Sequence, residues 1–121
     1  MILEQLHKDF SVCKLTSPEH VDLTNPFTFV SKTDDELSLV CETNRIPPNA
    51  TDVEKGWKAL KLCGILDFGL IGIIAKLSGL LAENNIPVFV ISTFNTDYIL
   101  LKNDHYNSAK QLLSINGYDL I

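Results

Sequence analysis

The sequence has no excess of positive charge: ten lysines and arginines stand against fifteen aspartates and glutamates, a formal charge of −5 at pH 7. That balance repels phosphate backbones and acidic headgroups, so neither nucleic acid nor a membrane surface is an expected partner. Long apolar runs are missing too. The richest stretch, Leu62 to Ala82, is cut by Asp67 and Lys76 into pieces well short of the ~18–20 residues that span a bilayer. Cysteine is sparse: Cys13, Cys41 and Cys63 stand far apart, with no Cys-x-x-Cys pair and no clustered histidine. This excludes a disulfide framework and suits a reducing compartment. The first residues, MILEQLHKDF, carry Glu4, Lys8 and Asp9 where a secretory leader has a basic stretch followed by an apolar run. A cytoplasmic location is expected.

What is present is an ordinary globular composition, 45% hydrophobic and 21% charged over 121 residues. A chain of this size buries roughly two-thirds of its unfolded surface, so neither a metal nor a disulfide is required to hold it. In the first half, Ile2–His7 and Phe10–Leu15 read as short strands, with Lys8 and Asp9 as the turn between them; Phe10 and Val12 alternate with Ser11 and Cys13. Ser17-Pro18 resembles a helix start of one or two turns. Phe27–Ser31 and Leu37–Glu42 are further strand candidates, and Thr33-Asp34-Asp35-Glu36 has capping-box spacing, which predicts one helical turn between them. Asn44–Lys55 shows no period and reads as the loop dividing the chain into halves, 1–50 and 56–121.

The second half is better patterned. Trp57–Leu66 reads as a strand, Asp67 as the cap of the next helix, and Leu70, Ile73, Ile74, Leu77 and Leu81 recur at spacings of three and four. Asn84-Asn85 ends that helix. Ile86–Ile91 follows as an apolar run suited to a strand covered on both faces, and Asp97–Lys102 as its antiparallel return. Asp104–Ile115 forms a last helix closed by Asn116-Gly117, and Tyr118–Ile121 an edge strand. This is the ferredoxin-like split βαβ order. Phe29–Val40 also lies on Val90–Leu101 at an offset of 61, matching Ser31 with Ser92 and Glu36 with Asp97, whereas Phe10–Leu15 lies on Trp57–Leu62 at 47. The fold expected is therefore α+β: tandem βαββαβ modules with antiparallel sheets and helices on one face, the first module having a shortened helix.

No nucleophile with a base, paired carboxylates in a cleft or metal constellation is legible, so catalysis, metal and cofactor are not expected. His7, His20 and His105 read as surface residues, the cysteines as small core hydrophobes, and Asp34, Asp35 and Glu36 as a solvated helix start. Two features exceed a packing account. In Asp67-Phe68-Gly69-Leu70-Ile71-Gly72, the glycines leave backbone N–H groups open to an anion, or permit close helix packing. Ser92-Thr93-Phe94-Asn95-Thr96-Asp97 is a polar hairpin, either ordinary turn chemistry or part of a site. Converging, they suit a zwitterion: the helix start takes a carboxylate and Asp97 an ammonium, as a free amino acid requires.

Gly56-Trp57-Lys-Ala-Leu-Lys, Leu66-Asp67-Phe68 leading into Gly72, and above all Ile91-Ser-Thr-Phe-Asn-Thr-Asp-Tyr-Ile-Leu100 resemble the ACT-domain branch shared by small bacterial ACT proteins and cytosolic arginine sensors. Thr33–Cys41 resembles the matching signature of their N-terminal half. The resemblance implies a regulatory module that binds an amino acid or another small ligand where two modules meet, and a homodimer. By position it implies ligand contacts from Phe68, Gly69, Leu70, Ile71, Thr93, Phe94 and Asp97, with Asp97 on the amino group. Related sequences often carry hydroxyl residues where this chain has Gly69 and Ile71, and arginine is not implied as the ligand. A rival reading is a docking module with a decayed pocket, binding another protein through a sheet edge or helix face. A small enzyme on a ferredoxin-like frame is a third.

Overall fold

A computed structural model of the chain describes residues 1–64 and 71–121. Its elements are β1 (Ile2–Leu15), β2 (Phe29–Lys32), β3 (Leu37–Glu42), a 3-10 turn (Thr43–Arg45), β4 (Ala50–Leu62), α1 (Ile73–Glu83), β5 (Phe89–Ser92), β6 (Asp97–Lys102), α2 (Asn103–Ile115) and β7 (Asp119–Leu120). The β1–β3, β2–β3 and β5–β6 pairs are antiparallel, and β7 runs parallel to β1. The class is mixed α+β with a mostly antiparallel sheet and two helices. Two compact units divide the chain: Met1–His7 with Lys58–Ile121, and Lys8–Trp57. Met1–His7 thus belongs with the second half of the chain, because Ile2 and Leu3 pair with Asp119 and Leu120 and Leu3 is fully buried in that unit's core.

In the helical unit the strand order is β1-β4-β6-β5. The spacing of Ile73, Ile74, Leu77 and Leu81 gives α1 one apolar stripe, and Leu77 and Leu81 bury completely together with Ala109 and Leu113 of α2. Both helices meet the same strand face, that of Leu60, Leu62, Ile99 and Leu101. The residue preceding α1 is Gly72, at φ +80°. A Cβ there would meet nothing within 4 Å, so glycine is needed for the left-handed backbone rather than for space. Asp67, expected to cap this helix, lies outside the described residues. β5 departs from expectation. It ends the strand order and is only half-buried, because Val90 packs on the helical core whereas Phe89 and Ile91 belong to the opposite face.

The small unit has the order β4-β1-β3-β2 and no α-helix. Its core is Cys13, Leu15, Leu37, Leu39 and Cys41, covered by Val21, Ile46 and Ala50. The expected turn at Lys8-Asp9 is absent: β1 is one 14-residue strand, and Lys8 is held by Glu42 at 3.4 Å. β4 starts at Ala50 and takes Ala50–Lys55 out of the expected loop. Ser17-Pro18 begins no helix, only a turn in which the Val21 N–H donates to the Pro18 carbonyl at 3.0 Å. Thr33 likewise starts no helical turn. Its hydroxyl accepts the N–H groups of Asp35 and Glu36 at 3.2 and 3.1 Å, and its own N–H donates to the Glu36 carbonyl at 2.9 Å. With Lys32 paired to Leu37, too few residues remain for helix.

The two hairpins share one register at an offset of 60, not the expected 61. Phe29 pairs with Val40 and Lys32 with Leu37; Phe89 pairs with Leu100 and Ser92 with Asp97. The Thr93 N–H donates to the Thr96 carbonyl at 2.9 Å, as Thr33 does to Glu36. Asp97 therefore corresponds to Leu37 rather than to Glu36. Residues 16–28 join Leu15 to Phe29 with no helix at all, where a shortened one is expected; residues 63–88 join Leu62 to Phe89 and include α1.

Cys13 and Cys41 are buried and Cys63 is half-buried; all three are free thiols. Burial pushes the Cys13 thiol up and that of Cys41 from 9.0 to about 12, with Cys13 adding to the latter. A thiol reagent at pH 8 is expected to label Cys63 in the native protein, and Cys13 and Cys41 only after unfolding. Above pH 9 the unfolded Cys41 ionises while the folded thiol keeps its proton to about 12, so the folded state binds more protons and stability falls across that window. Urea midpoints between pH 8 and 11 should decline less steeply in Cys41→Ala than in wild type.

Candidate functional site

The β5–β6 hairpin is closed by threonines. The Thr93 hydroxyl donates to the Thr96 carbonyl at 2.8 Å and accepts the Thr96 N–H at 3.3 Å. This closure leaves Phe94 at the tip, 79% exposed, and turns Thr96 inward to 4% exposure. There the Thr96 hydroxyl donates to the Leu62 carbonyl at 2.7 Å, fixing the start of β6 to the end of β4. Asp97 comes next. It opens β6 opposite Ser92 and is half-buried, on the strand face that continues through Ile99 and Leu101 under the helices. Among the described residues no hydrogen bond or ion pair engages its carboxylate.

Beyond β4, the Cys63 N–H donates to the Ile2 carbonyl at 2.9 Å. Ile73, the first residue of α1, lines a cavity of about 250 Å³ together with Met1, Lys76, Asn116, Gly117 and Tyr118. Met1 adjoins Ile2, Ile2 bonds Cys63, and Leu62 bonds Thr96, so the starts of α1 and β6 lie at the same end of this unit. α1 has no side-chain cap and no acid in its first turn. Among the described residues no side chain satisfies its leading N–H groups, which lie at the positive end of the helix dipole.

The structure thus brings Thr93 and Asp97 together on one hairpin, with Phe94 at its exposed tip. Ile71, just before α1, is 95% exposed. Phe68, Gly69 and Leu70 lie outside the described residues. Thr93 is committed to its own turn, so what it offers a ligand is position rather than a free hydroxyl. Thr96 was not singled out by sequence reasoning, since a threonine beside a turn carries no mark of which way it faces. Among the described residues no group of three or more histidines, cysteines and acids could hold a metal, and no helix is long and apolar enough to cross a membrane.

A family model of the ACT domain matches residues 52–114, more than half of the chain. The chain belongs to the ACT-domain family. A second family model, of an N-terminal domain, matches residues 8–49. ACT domains are regulatory modules that often bind amino acids. A crystal structure of an Agrobacterium tumefaciens protein is 31% identical over 99% of this ACT-domain chain and 91% of that one, with a TM-score of 0.87. A Vibrio cholerae protein described as a possible transport protein is 21% identical over 93% and 87% of the two chains, at 0.71. The regulatory subunit of aspartate kinase from Thermus thermophilus shares the fold at 6% identity, covering 93% and 95%, at 0.64. No curated protein sequence matches the chain.

Proposed function

We propose that this ACT-domain protein is a non-catalytic, cytoplasmic regulator that binds a free amino acid where the β5–β6 hairpin and the start of α1 meet. The observation that carries the reading is Asp97: a half-buried carboxylate, without a partner among the described residues, at the same end of the unit as an uncapped helix start. Asp97 takes the ammonium and the helix start the carboxylate; Ile71, Thr93 and Phe94 are proposed as further contacts, as are Phe68, Gly69 and Leu70, which lie outside the described residues. Charge-assisted hydrogen bonds at both ends select a zwitterion over simple anions. The two units carry the same hairpin 60 residues apart, which supports descent from tandem modules. We place the working form as a homodimer, because a ligand shifts only equilibria between states that it contacts differently. Sedimentation with and without ligand tests that assignment.

A thermal-shift screen of the twenty standard amino acids tests the site. At one hundred times its dissociation constant a ligand stabilises by about 2.7 kcal/mol, a rise of roughly 10 °C for a chain of this length. Asp97→Ala is expected to abolish the rise, and so is Asp97→Asn, which keeps the shape and loses the charge. No shift with any amino acid ends the reading. That result would favour docking of another protein, for which the exposed Phe94 and Ile71 at this end supply apolar contact.

A further inference from the structure

We propose that the chain holds one amino-acid site, in the helical unit, and that the matching position of the small unit has been converted to core packing. The inference rests on the amino-acid reading above. It follows from comparing two hairpins with the same register, pair for pair, and the same threonine-closed turn. Within that shared frame, Leu37 stands where the helical unit has Asp97: Leu37 pairs with Lys32 as Asp97 pairs with Ser92. Leu37 is 7% exposed and packs with Cys13, Leu15, Leu39 and Cys41. From two positions after each starting residue the strands agree again, with Leu39, Val40 and Cys41 buried like Ile99, Leu100 and Leu101. Within the strand, the replacement falls on the residue proposed to hold the ammonium.

The other half of the recognition is missing as well. Residues 16–28, which occupy the place of the α1 connection, form only turns and present no aligned helix N–H groups to a carboxylate. The inward tie is absent too, since Glu36, matching Thr96, is exposed while Thr96 reaches the Leu62 carbonyl. A carboxylate at position 37 would have to give up its hydration inside an apolar cluster with no partner to replace it. At the matching position and connection, the small unit offers a zwitterion neither partner. Ligand binding is then asymmetric along the chain, and each chain contributes one binding event to whatever assembly it forms.

Calorimetric titration of the wild-type chain with the amino acid that gives the thermal shift is expected to show one equivalent per chain, and Asp97→Ala none. Two equivalents, or one remaining in Asp97→Ala, overturn the single-site inference while leaving the amino-acid reading intact. No heat from any of the twenty overturns the amino-acid reading itself. A second measurement needs no ligand. Leu37→Asp is expected to lower the melting temperature by about 10 °C or more, whereas Asp97→Leu lowers it by no more than about 2 °C. If Leu37→Asp melts with wild type, position 37 still accommodates a charge, and the conversion to packing is refuted whatever the titrations show.

Discussion

Ile99→Ala is expected to lower stability by about 4–5 kcal/mol, and Leu39→Ala by only about 2–3 kcal/mol, although the two occupy matching positions of matching hairpins. Ile99 is 0% exposed and Leu39 1%, so burial does not separate them. What differs is the cover. Ile99 lies under α1 and α2, whose backbones are held straight by their own hydrogen bonds and cannot close on a void. Leu39 lies under Val21, Ile46 and Ala50, two from connecting segments and one at a strand start, where small shifts can reclaim the lost volume. Urea titrations read both costs. The helix signal at 222 nm arises from the helical unit and Trp57 emission from the small unit, so the two probes also report whether the units unfold together. Equal losses in the two variants would mean that the covering elements do not set the cost.

The sequence made the paired strands and the helices legible for a physical reason: each carries a pattern that only one conformation can bury. β3 and β6 lie at the residues expected, Leu37–Glu42 and Asp97–Lys102, and α2 is displaced by one residue at its start. The long strands were hidden because their outer portions carry no such pattern. Residues Thr51–Lys55 of β4 are all exposed, and Lys8 and Asp9 look like a turn until Glu42 is seen to hold Lys8 in line. The repeat slipped by one residue because serine and acid identities favoured 61, whereas hydrogen-bond register fixes 60. A slip of one in a strand exchanges its faces, so the error set Asp97 against an exposed glutamate instead of a buried leucine. Of the candidate site, Thr93, Phe94 and Asp97 could be named from their string. The inward bond of Thr96 could not, because direction is a property of the fold.

That bond supports the second of the two largest effects expected. Valine matches threonine in shape, so Thr96→Val removes the hydroxyl without opening a cavity, and the Leu62 carbonyl loses the donor that reaches it at 2.7 Å. Leaving such a buried acceptor unpaired costs about 1–3 kcal/mol, and the melting temperature should fall by roughly 4–10 °C. Thr96→Ser keeps the hydroxyl and gives up one methyl group, so it is expected to recover most of the loss. Ligand affinity separates two roles for the bond. Thr96, beside Asp97, ties the turn of this hairpin to the strand leading into α1. If the tie sets the distance between the ammonium and carboxylate ends of the site, Thr96→Val weakens amino-acid binding at least about tenfold at temperatures where the variant is fully folded. Binding at wild-type strength would assign the bond to stability alone and leave the geometry of the site to residues on either side of it.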